Sequence, residues 1–176
     1  MTDKPALRRA LRTARSALVP RPDIPAPPEF LANLAHGLTV ASYVPVGGEA
    51  DPHHLARAAV EAGCRIALPH VTSREEELRF LAWDTEAALA PGPFGLSQPE
   101  LTAAELAPDL ILTPLVGFDA AGNRLGQGAG HYDRAFARFP DALRIGIAFD
   151  VQQTDSLQPD PWDVPLHAIV TESGWR

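Results

Sequence analysis

Residues 109–139 read DLILTPLVGFDAAGNRLGQGAGHYDRAFARF, and this stretch decides the fold class. Asp109–Thr113 is a compact apolar run that predicts a buried strand. Four glycines follow between Gly122 and Gly130 and predict a loop, after which residues 130–139 are expected to form a helix. A buried strand that leads through a glycine-rich loop into a helix indicates one unit of a parallel sheet covered by helices.

The same alternation continues on both sides of this stretch. Leucines at helical spacing predict a helix over residues 4–18, capped by Thr2 or Asp3, and the proline-rich residues 20–28 predict a stiff connector. Further helices are expected at residues 28–36 and 51–62, and strands at residues 38–44, 65–68, 78–83, 143–149 and 166–170. The sequence therefore predicts an α/β fold: one domain over residues 1–176 with three α/β/α layers and a mostly parallel, Rossmann-like central sheet. Ligands bind beyond the carboxyl ends of the strands in such sheets.

Composition and charge exclude several function classes. Hydrophobic residues make up 45% of the 176 residues, enough for one sizeable core, and no apolar run reaches the ~18–20 residues that cross a bilayer. The net charge of −7 argues against a protein that coats nucleic acid. Cys64 is the only cysteine, so neither an intrachain disulfide nor a cysteine metal site is expected. We expect a cytoplasmic monomer that acts on a small molecule and binds neither nucleic acid nor membrane.

The glycine-rich loop has the residue types that bind an anion. Glycines let backbone N–H groups approach a phosphate closely, and the start of the following helix adds partial positive charge. Arg124 could bind a phosphate through two N–H groups, and Asp133 could stabilise the helix start or bind a divalent cation. The loop is not a Walker A motif, which needs Lys-Ser/Thr after Gly130, and its glycine spacing is not Gly-x-Gly-x-x-Gly. On glycine count alone, a loop that only turns the chain is the alternative.

All but one of the 15 basic residues are arginine, and the exception is Lys4. A flexible ammonium is a good point-charge partner for a phosphate, so Lys4 could supply the lysine that the loop lacks; chance survival near a terminus is the alternative. Lys4, Arg8, Arg12 and Arg15 share one face of the predicted helix by their spacing. For Arg12 and Arg15 we expect an ordinary solvated face.

Four motifs follow one another along the chain. The string Gly-Phe-Asp-x-x-Gly-x-Arg-Leu-Gly-x-Gly-x-Gly-x-Tyr-Asp-Arg occupies residues 117–134. Residues 4–8 read KPALR, residues 44–49 read VPVGGE, and residues 163–172 read DVPLHAIVTE. In this order the four motifs resemble the 5-formyltetrahydrofolate cyclo-ligase family, the 5,10-methenyltetrahydrofolate synthetases. The resemblance spans nearly the whole chain.

The resemblance implies an ATP- and Mg²⁺-dependent ligase that forms a C–N bond. Enzymes of this family convert 5-formyltetrahydrofolate into 5,10-methenyltetrahydrofolate: ATP phosphorylates the formyl oxygen, N10 attacks the activated carbon and phosphate leaves. Phosphoryl transfer needs positioning and charge neutralisation more than a protein nucleophile.

The resemblance also implies roles for particular residues. ATP would be bound by Lys4, Arg8, Arg124, Leu125, Gly126, Gln127, Gly128, Ala129, Gly130, His131 and Tyr132. The folate substrate would be bound by Val44, Glu49, Phe94, Gln127, Gly128, Ala129, Gly130, His131 and Tyr132. Mg²⁺ would be bound by Asp133 and Asp163. No side chain is certain to be catalytic, and Lys4 and Arg124 would stabilise charge during phosphoryl transfer.

Several positions depart from the family pattern. His131 stands where the family usually has a tyrosine, and His167 replaces a common acid. Gln127 and Ala129 fill positions that are often basic, aromatic or glycine, and Ala129 requires a negative φ angle. A non-catalytic folate- or nucleotide-binding protein is therefore the alternative function, and a small-molecule kinase or phosphatase is a third.

Ordinary structural roles compete with some of these assignments. Glu49 could be a solvated acid in a turn, Asp163 the end of a loop, and Phe94 a core side chain. His53 and His54 have no carboxylate at ligand spacing in their predicted helix and are expected to be surface residues rather than metal ligands. Packing roles are expected for the three tryptophans, Trp83, Trp162 and Trp175.

Overall fold

The computed structural model describes residues 3–176. The helices are α1 (Lys4–Ala17), α2 (Pro28–Leu31), α3 (His53–Glu61) and α4 (His131–Arg138). The strands are β1 (Thr39–Ala41), β2 (Arg65–His70), β3 (Arg79–Trp83), β4 (Ala90–Pro91), β5 (Ser97–Gln98), β6 (Leu110–Pro114), β7 (Gly117–Phe118), β8 (Arg124–Leu125), β9 (Leu143–Ile147), β10 (Ala168–Thr171) and β11 (Gly174–Trp175). Within this part of the chain, none of the helices combines the length and the apolar character needed to cross a bilayer.

The main sheet has the strand order β11-β10-β9-β6-β1-β2-β3. Neighbouring strands from β10 to β2 are parallel, whereas the outer strands β3 and β11 pair antiparallel. The expected α/β fold with a mostly parallel sheet is confirmed. Numbered along the chain, the five parallel strands follow the order 2-1-3-4-5, which is the flavodoxin-like variant of doubly wound sheets rather than the Rossmann order. The direction of winding therefore reverses between β1 and β6.

Side chains alternate along the strands, so each face of the sheet has its own core. On one face Val40 belongs to a buried cluster with Phe30 of α2 and Leu55 of α3. On the other face the next residue, Ala41, belongs to a second cluster with Phe136 of α4. Helices on both faces give the three layers that the sequence predicts.

Helix α1 lies beyond the carboxyl end of β6. Its Leu11 is buried in a small cluster with Val116 and Leu125, both on the chain that leaves β6. Oδ1 of Asp3 accepts a hydrogen bond from the N–H group of Ala6 at 3.0 Å and so caps the helix. The other expected cap, Thr2, lies outside the described residues. Packing on Leu11 holds the basic face of α1 close to the glycine-rich loop.

Two expectations from the sequence are wrong in detail. The helix expected over 28–36 ends at Leu31. Nδ2 of Asn33 donates to the carbonyl oxygen of Glu29 at 2.8 Å and occupies an acceptor that a longer helix would use. Trp162 is 69% exposed and does not pack in the core, whereas Trp83 and Trp175 lie against it.

Candidate functional site

Two loops leave neighbouring strands at the point where the winding reverses. The chain continues from β1 into residues 42–52 and from β6 into residues 115–130. Both loops lie at the carboxyl edge of the sheet, and in doubly wound sheets they diverge there and leave a crevice for a ligand. Most of the residues expected to bind ligands lie on these two loops, on α1 and at the start of α4.

The turn Gly126–Gly130 leads into α4. Gly128 and Gly130 have φ angles of 103° and 68°, which residues with a Cβ rarely adopt. Ala129 is not among the residues with positive φ, as its Cβ requires. The helix begins after Gly130 without a side-chain cap, so the N–H groups of its first turn have no capping partner. The turn therefore offers backbone N–H groups to an anion.

The basic face of α1 contacts this turn. Nε of Arg8 donates to the carbonyl oxygen of Gly126 at 2.8 Å. Further along the helix, the guanidinium of Arg12 donates to the side-chain oxygen of Gln127. Arg8 and Arg12 therefore lie on one face of α1, as their spacing predicts, and this face packs against the glycine turn.

Arg15 does not belong to a solvated face, and that expectation is wrong. The residue is 4% exposed. Its guanidinium donates to the carbonyl oxygen of Gly47 at 2.9 Å and more weakly to that of Leu115 at 3.4 Å. Burial lowers the pKa of Arg15, an effect that the nearby Glu49 partly opposes. Arg15 is buried because the last turns of α1 are covered by the loop of residues 42–52, a contact that no local pattern reveals.

Asp133, one of the two expected metal ligands, lies beside a buried arginine. Its Oδ1 is 2.6 Å from a guanidinium nitrogen of Arg124, and it also accepts a long hydrogen bond from the N–H group of Val164 at 3.4 Å. Val164 follows the other expected metal ligand, Asp163. The structure therefore brings the two acids to one place although they lie far apart in the chain.

Asp163 faces the lone lysine. Its Oδ2 accepts from the N–H group of Asp160 at 2.8 Å and lies 3.5 Å from Nζ of Lys4. Nζ of Lys4 is closer to Asp160, at 2.6 Å from Oδ2, and this hydrogen bond is the main cause that raises the pKa of Lys4. Lys4 therefore lies beside Asp163, one of the two expected metal ligands.

Basic and acidic side chains lie together beside the glycine turn because they form ion pairs with one another. Burial lowers the pKa of Arg124, while Asp133 stabilises its charged form. A triphosphate with a divalent cation is complementary in charge to these residues. Its phosphate oxygens could bind Lys4 and Arg124, and its cation could bind the carboxylates. The residues present therefore fit a phosphorylated ligand with its metal, which would replace the ion pairs of the free protein.

Glu49 lies on the loop of residues 42–52. It is half-buried, so it is not an ordinary solvated acid in a turn. Burial raises its pKa, although the hydrogen bond from the N–H group of Val46, at 3.0 Å, and the charge of Arg15 both oppose this. Its Oε1 lies 3.4 Å from Nε2 of Gln127, which is the residue that Arg12 also contacts. Gln127 therefore connects the glycine turn with the loop that carries Glu49.

Tyr132 belongs to the first turn of α4 and faces the same loop. Burial raises the pKa of its phenol, and the negative charge of Glu49 raises it further. The phenol of Tyr43, beside the same carboxylate, is affected in the same way. Tyr132 thus follows the glycine turn directly and is close enough to Glu49 for the two charges to interact.

Phe94 is not a core residue. It is 54% exposed and has a φ angle of 61°, so a strained backbone holds its ring at the surface. The guanidinium carbon of Arg74 lies 5.5 Å from the centre of this ring. The neighbouring Gly95 approaches Val46, in the loop that carries Glu49, and Val44 in that loop is half-buried.

His131 holds a separate segment, residues 72–77, against the start of α4. Its Nε2 lies 3.2 Å from the carbonyl oxygens of Ser73 and of Arg74 and donates to them. Arg134 contacts the carbonyl oxygen of Arg74 at 2.9 Å. Burial and the charge of Arg134 lower the pKa of His131. His167, the other residue that departs from the family pattern, lies against Arg144. Its Nδ1 accepts a hydrogen bond from the backbone N–H group of Arg144 at 3.0 Å.

Sequence reasoning missed four residues of this region, namely Arg15, Arg74, Arg134 and Asp160. Asp160 lies three residues before Asp163, and Arg134 is the last residue of the motif over residues 117–134, so the motifs offered a signal for both. Arg74 lies in a charged stretch without any motif, and only the folded chain brings it to Phe94. A pocket of about 650 Å³ lies elsewhere, between α3 and β3 beside Cys64 and Trp83.

The fold and the crevice together define a class. The chain is a doubly wound α/β protein in which an uncapped glycine turn lies beside paired acids and bases at the strand reversal. The model of the 5-formyltetrahydrofolate cyclo-ligase family matches residues 1–172. The chain belongs to the 5-formyltetrahydrofolate cyclo-ligase family.

Individual relatives agree with this membership. The chain is 35% identical over 148 residues to the 5-formyltetrahydrofolate cyclo-ligase of Escherichia coli (strain K12), covering 80% of each chain. It is 32% identical over 143 residues to that of Mycolicibacterium smegmatis, covering 77% of this chain and 74% of the relative.

Solved structures of the family have the same fold. The 5,10-methenyltetrahydrofolate synthetase of Aquifex aeolicus superposes with a TM-score of 0.74 at 27% identity, covering 99% of this chain and 92% of that one. The synthetase of Mycoplasma pneumoniae gives 0.70 at 27% identity, covering 96% and 98%.

Proposed function

We propose that this chain converts 5-formyltetrahydrofolate into 5,10-methenyltetrahydrofolate with ATP and Mg²⁺. Family membership supports the reaction, and one observation supports the use of a nucleotide: the pairs Arg124–Asp133 and Lys4–Asp163 meet at the mouth of a glycine turn. The substrate is a small folate, and we propose that a monomer acts on it in the cytoplasm.

The nucleotide half of the crevice comprises α1, the glycine turn and the start of α4. Backbone N–H groups of residues 126–132 would bind the phosphates, and Arg8, held at Gly126, would add charge at the turn. Lys4 and Arg124 would release their carboxylates and bind phosphate oxygens. Asp133 and Asp163 would hold Mg²⁺, which supplies neutralisation of phosphate charge when bound.

The folate half comprises the loop that carries Glu49 and the segment around Phe94. An ionised carboxylate accepts hydrogen bonds from N–H groups, which the pterin ring presents along one edge, and the Glu49 carboxylate would do so here. Val44 would line the pocket, and the exposed ring of Phe94 offers an apolar face to the aromatic part of the folate. Tyr132 would lie between the folate and the phosphates.

The reaction needs the formyl oxygen to become a leaving group. The formyl oxygen attacks the γ-phosphorus and ADP leaves, after which N10 attacks the formyl carbon. N10 loses its proton, which ends on the inorganic phosphate that carries the oxygen away, and the positively charged N5–CH=N10 bridge remains. No protein nucleophile takes part, and the residues of the crevice hold the two reactants in line and neutralise charge.

A direct assay tests this function. Purified, folded protein is mixed with 5-formyltetrahydrofolate, ATP and Mg²⁺, and both the absorbance of the methenyl product and the release of ADP are followed. We expect one ADP for each methenyl group formed. No product above the control without enzyme would contradict the activity, and calorimetry showing tight folate binding without ADP release would instead support a non-catalytic binding protein.

A further inference from the structure

A second group of ligating side chains lies outside the crevice, where the proline-rich connector passes the start of α3. Asp23, His53 and His54 each offer one ligand atom, and these atoms lie within 4.8 Å of one another. Oδ2 of Asp23 is 3.8 Å from Nε2 of His54. The rings of His53 and His54 lie on the same side of the helix start, with centroids 3.7 Å apart.

The fold supplies the carboxylate that the predicted helix lacked. In the sequence, His53 and His54 have no carboxylate at helical ligand spacing, and the expectation of a plain surface pair followed from that. Asp23 lies 30 residues before His53 on the connector, and tertiary packing places it beside the two imidazoles.

The backbone at this place is fixed by the core. Ile24, next to Asp23, is 1% exposed, and Leu55, next to His54, is fully buried. Both belong to the same buried cluster. Pro22 also restricts the backbone before Asp23. The ligand residues are therefore pre-positioned, while their side chains are exposed enough to adjust: the side chain of Asp23 is 81% exposed and that of His54 is 32% exposed.

The donor set selects the kind of metal. Two imidazole nitrogens and one carboxylate oxygen are ligands typical of Zn²⁺, whereas Mg²⁺ and Ca²⁺ prefer oxygen. Bond lengths of about 2.0–2.2 Å place two ligands of a tetrahedral site about 3.3–3.6 Å apart. Small rotations of exposed side chains would close the present spacing to this value. Asp51, whose Oδ1 lies 3.6 Å from Nδ1 of His53, stands where a carboxylate partner of a metal-bound imidazole is commonly found.

We propose that Asp23, His53 and His54 form a Zn²⁺ site with water as the fourth ligand. The metal joins the connector to the start of α3. It therefore restrains the loop of residues 42–52, which ends at this helix and carries Glu49. The site does not depend on the proposed cyclo-ligase activity, because none of its ligands belongs to the crevice.

Zn²⁺ binding to untagged, metal-stripped protein tests this site. We expect calorimetry to show one Zn²⁺ per chain, retained in millimolar Mg²⁺, and Zn²⁺ to raise the Tm. Co²⁺ in place of Zn²⁺ should give the intense visible bands of a tetrahedral centre. Asp23→Asn should weaken Zn²⁺ binding about tenfold or more, because even indirect partners of a metal contribute 10–100-fold, and the double variant His53→Asn/His54→Asn should abolish it.

His36→Asn is the matched control, since His36 is an exposed histidine on another segment. Because the three ligands are surface side chains, their variants should keep the Tm of the metal-free protein. Three results would overturn the proposal: no Zn²⁺ binding by the unaltered protein, equal binding by the double variant, or a loss of binding in His36→Asn as large as in Asp23→Asn.

Discussion

At the scale of single residues, burial and hydrogen-bond partners determine which basic side chains of α1 could bind a ligand. Lys4 is exposed enough to exchange partners, and its two carboxylates would be replaced by phosphate oxygens. Arg15, on the same helix, is buried against backbone carbonyls and cannot reach a ligand in the crevice. Two basic residues on one helix face thus have different roles, which substitutions can separate.

Lys4→Ala should raise the KM for ATP about tenfold or more, because a hydrogen bond to a charged group contributes about 1.5–3 kcal/mol. Steady-state kinetics at saturating folate measures this change. Arg9→Ala is the control, since Arg9 is exposed on the same helix. Equal KM values for the two variants would show that the lone lysine has no special role.

Arg15→Ala should instead reduce the free energy of unfolding by about 1.5–3 kcal/mol, because it removes the hydrogen bond of the charged guanidinium to the carbonyl oxygen of Gly47 and the packing of a side chain in a residue that is only 4% exposed. Urea unfolding measures this loss, and Arg9→Ala should stay within about 0.5 kcal/mol of the unaltered protein. A stable Arg15→Ala protein would mean that this guanidinium is not part of the folded core.

Glu49→Gln should separate stability from function. Burial raises the pKa of Glu49, so the folded protein binds this proton more tightly than the unfolded chain, and the favourable contribution is lost as the pH rises through the folded pKa. The glutamine amide of the variant does not titrate, so its contribution to stability does not change with pH. The stability of Glu49→Gln relative to the unaltered protein should therefore increase between pH 4 and pH 7.5 in urea unfolding, while folate binding weakens. A relative stability that decreases with pH would contradict this.

At the scale of elements, the glycine turn and α4 act as one unit. Gly128 and Gly130 are needed for backbone shape, since their φ angles are positive. Gly126 is different: its φ is not positive, and a Cβ there would meet no atom within 4 Å. Local conformation therefore does not explain a glycine at this position, whereas the proposed close approach of a phosphate would.

Gly126→Ala should leave the Tm nearly unchanged but raise the KM for ATP about tenfold, because the added methyl group occupies the space of the bound phosphates. Thermal unfolding and steady-state kinetics together measure the two effects. An unchanged KM would show that the phosphates do not approach this part of the turn.

At the scale of the whole molecule, the site exists because two loops diverge at the reversal between β1 and β6. The periodic apolar runs predicted the parallel sheet and the edge at which ligands bind, since these follow from local patterns. The strand order could not be read in the same way, because it depends on which distant strands pair. For the same reason the buried position of Arg15, the contact of Arg74 with Phe94 and the carboxylate of Asp23 beside the histidines appear only in the folded chain.

The motifs predicted more of the crevice than the element pattern did. Glu49, Gln127 and Tyr132 come together from two segments that no periodicity connects. Gln127, which departs from the family pattern, forms the link to Glu49 and Arg12. The structure therefore brings motif residues from distant segments together, and their ligand roles stay predictions, whereas contacts that arise through packing alone have no signal in the sequence.

The most direct test is a crystal structure of the protein with a non-hydrolysable ATP analogue, Mg²⁺ and 5-formyltetrahydrofolate. We expect the triphosphate against the N–H groups of residues 126–132, the metal between the carboxylates of Asp133 and Asp163, and the pterin at Glu49. A triphosphate bound elsewhere, with the Arg124–Asp133 and Lys4–Asp163 pairs unchanged, would contradict the proposed function of the crevice.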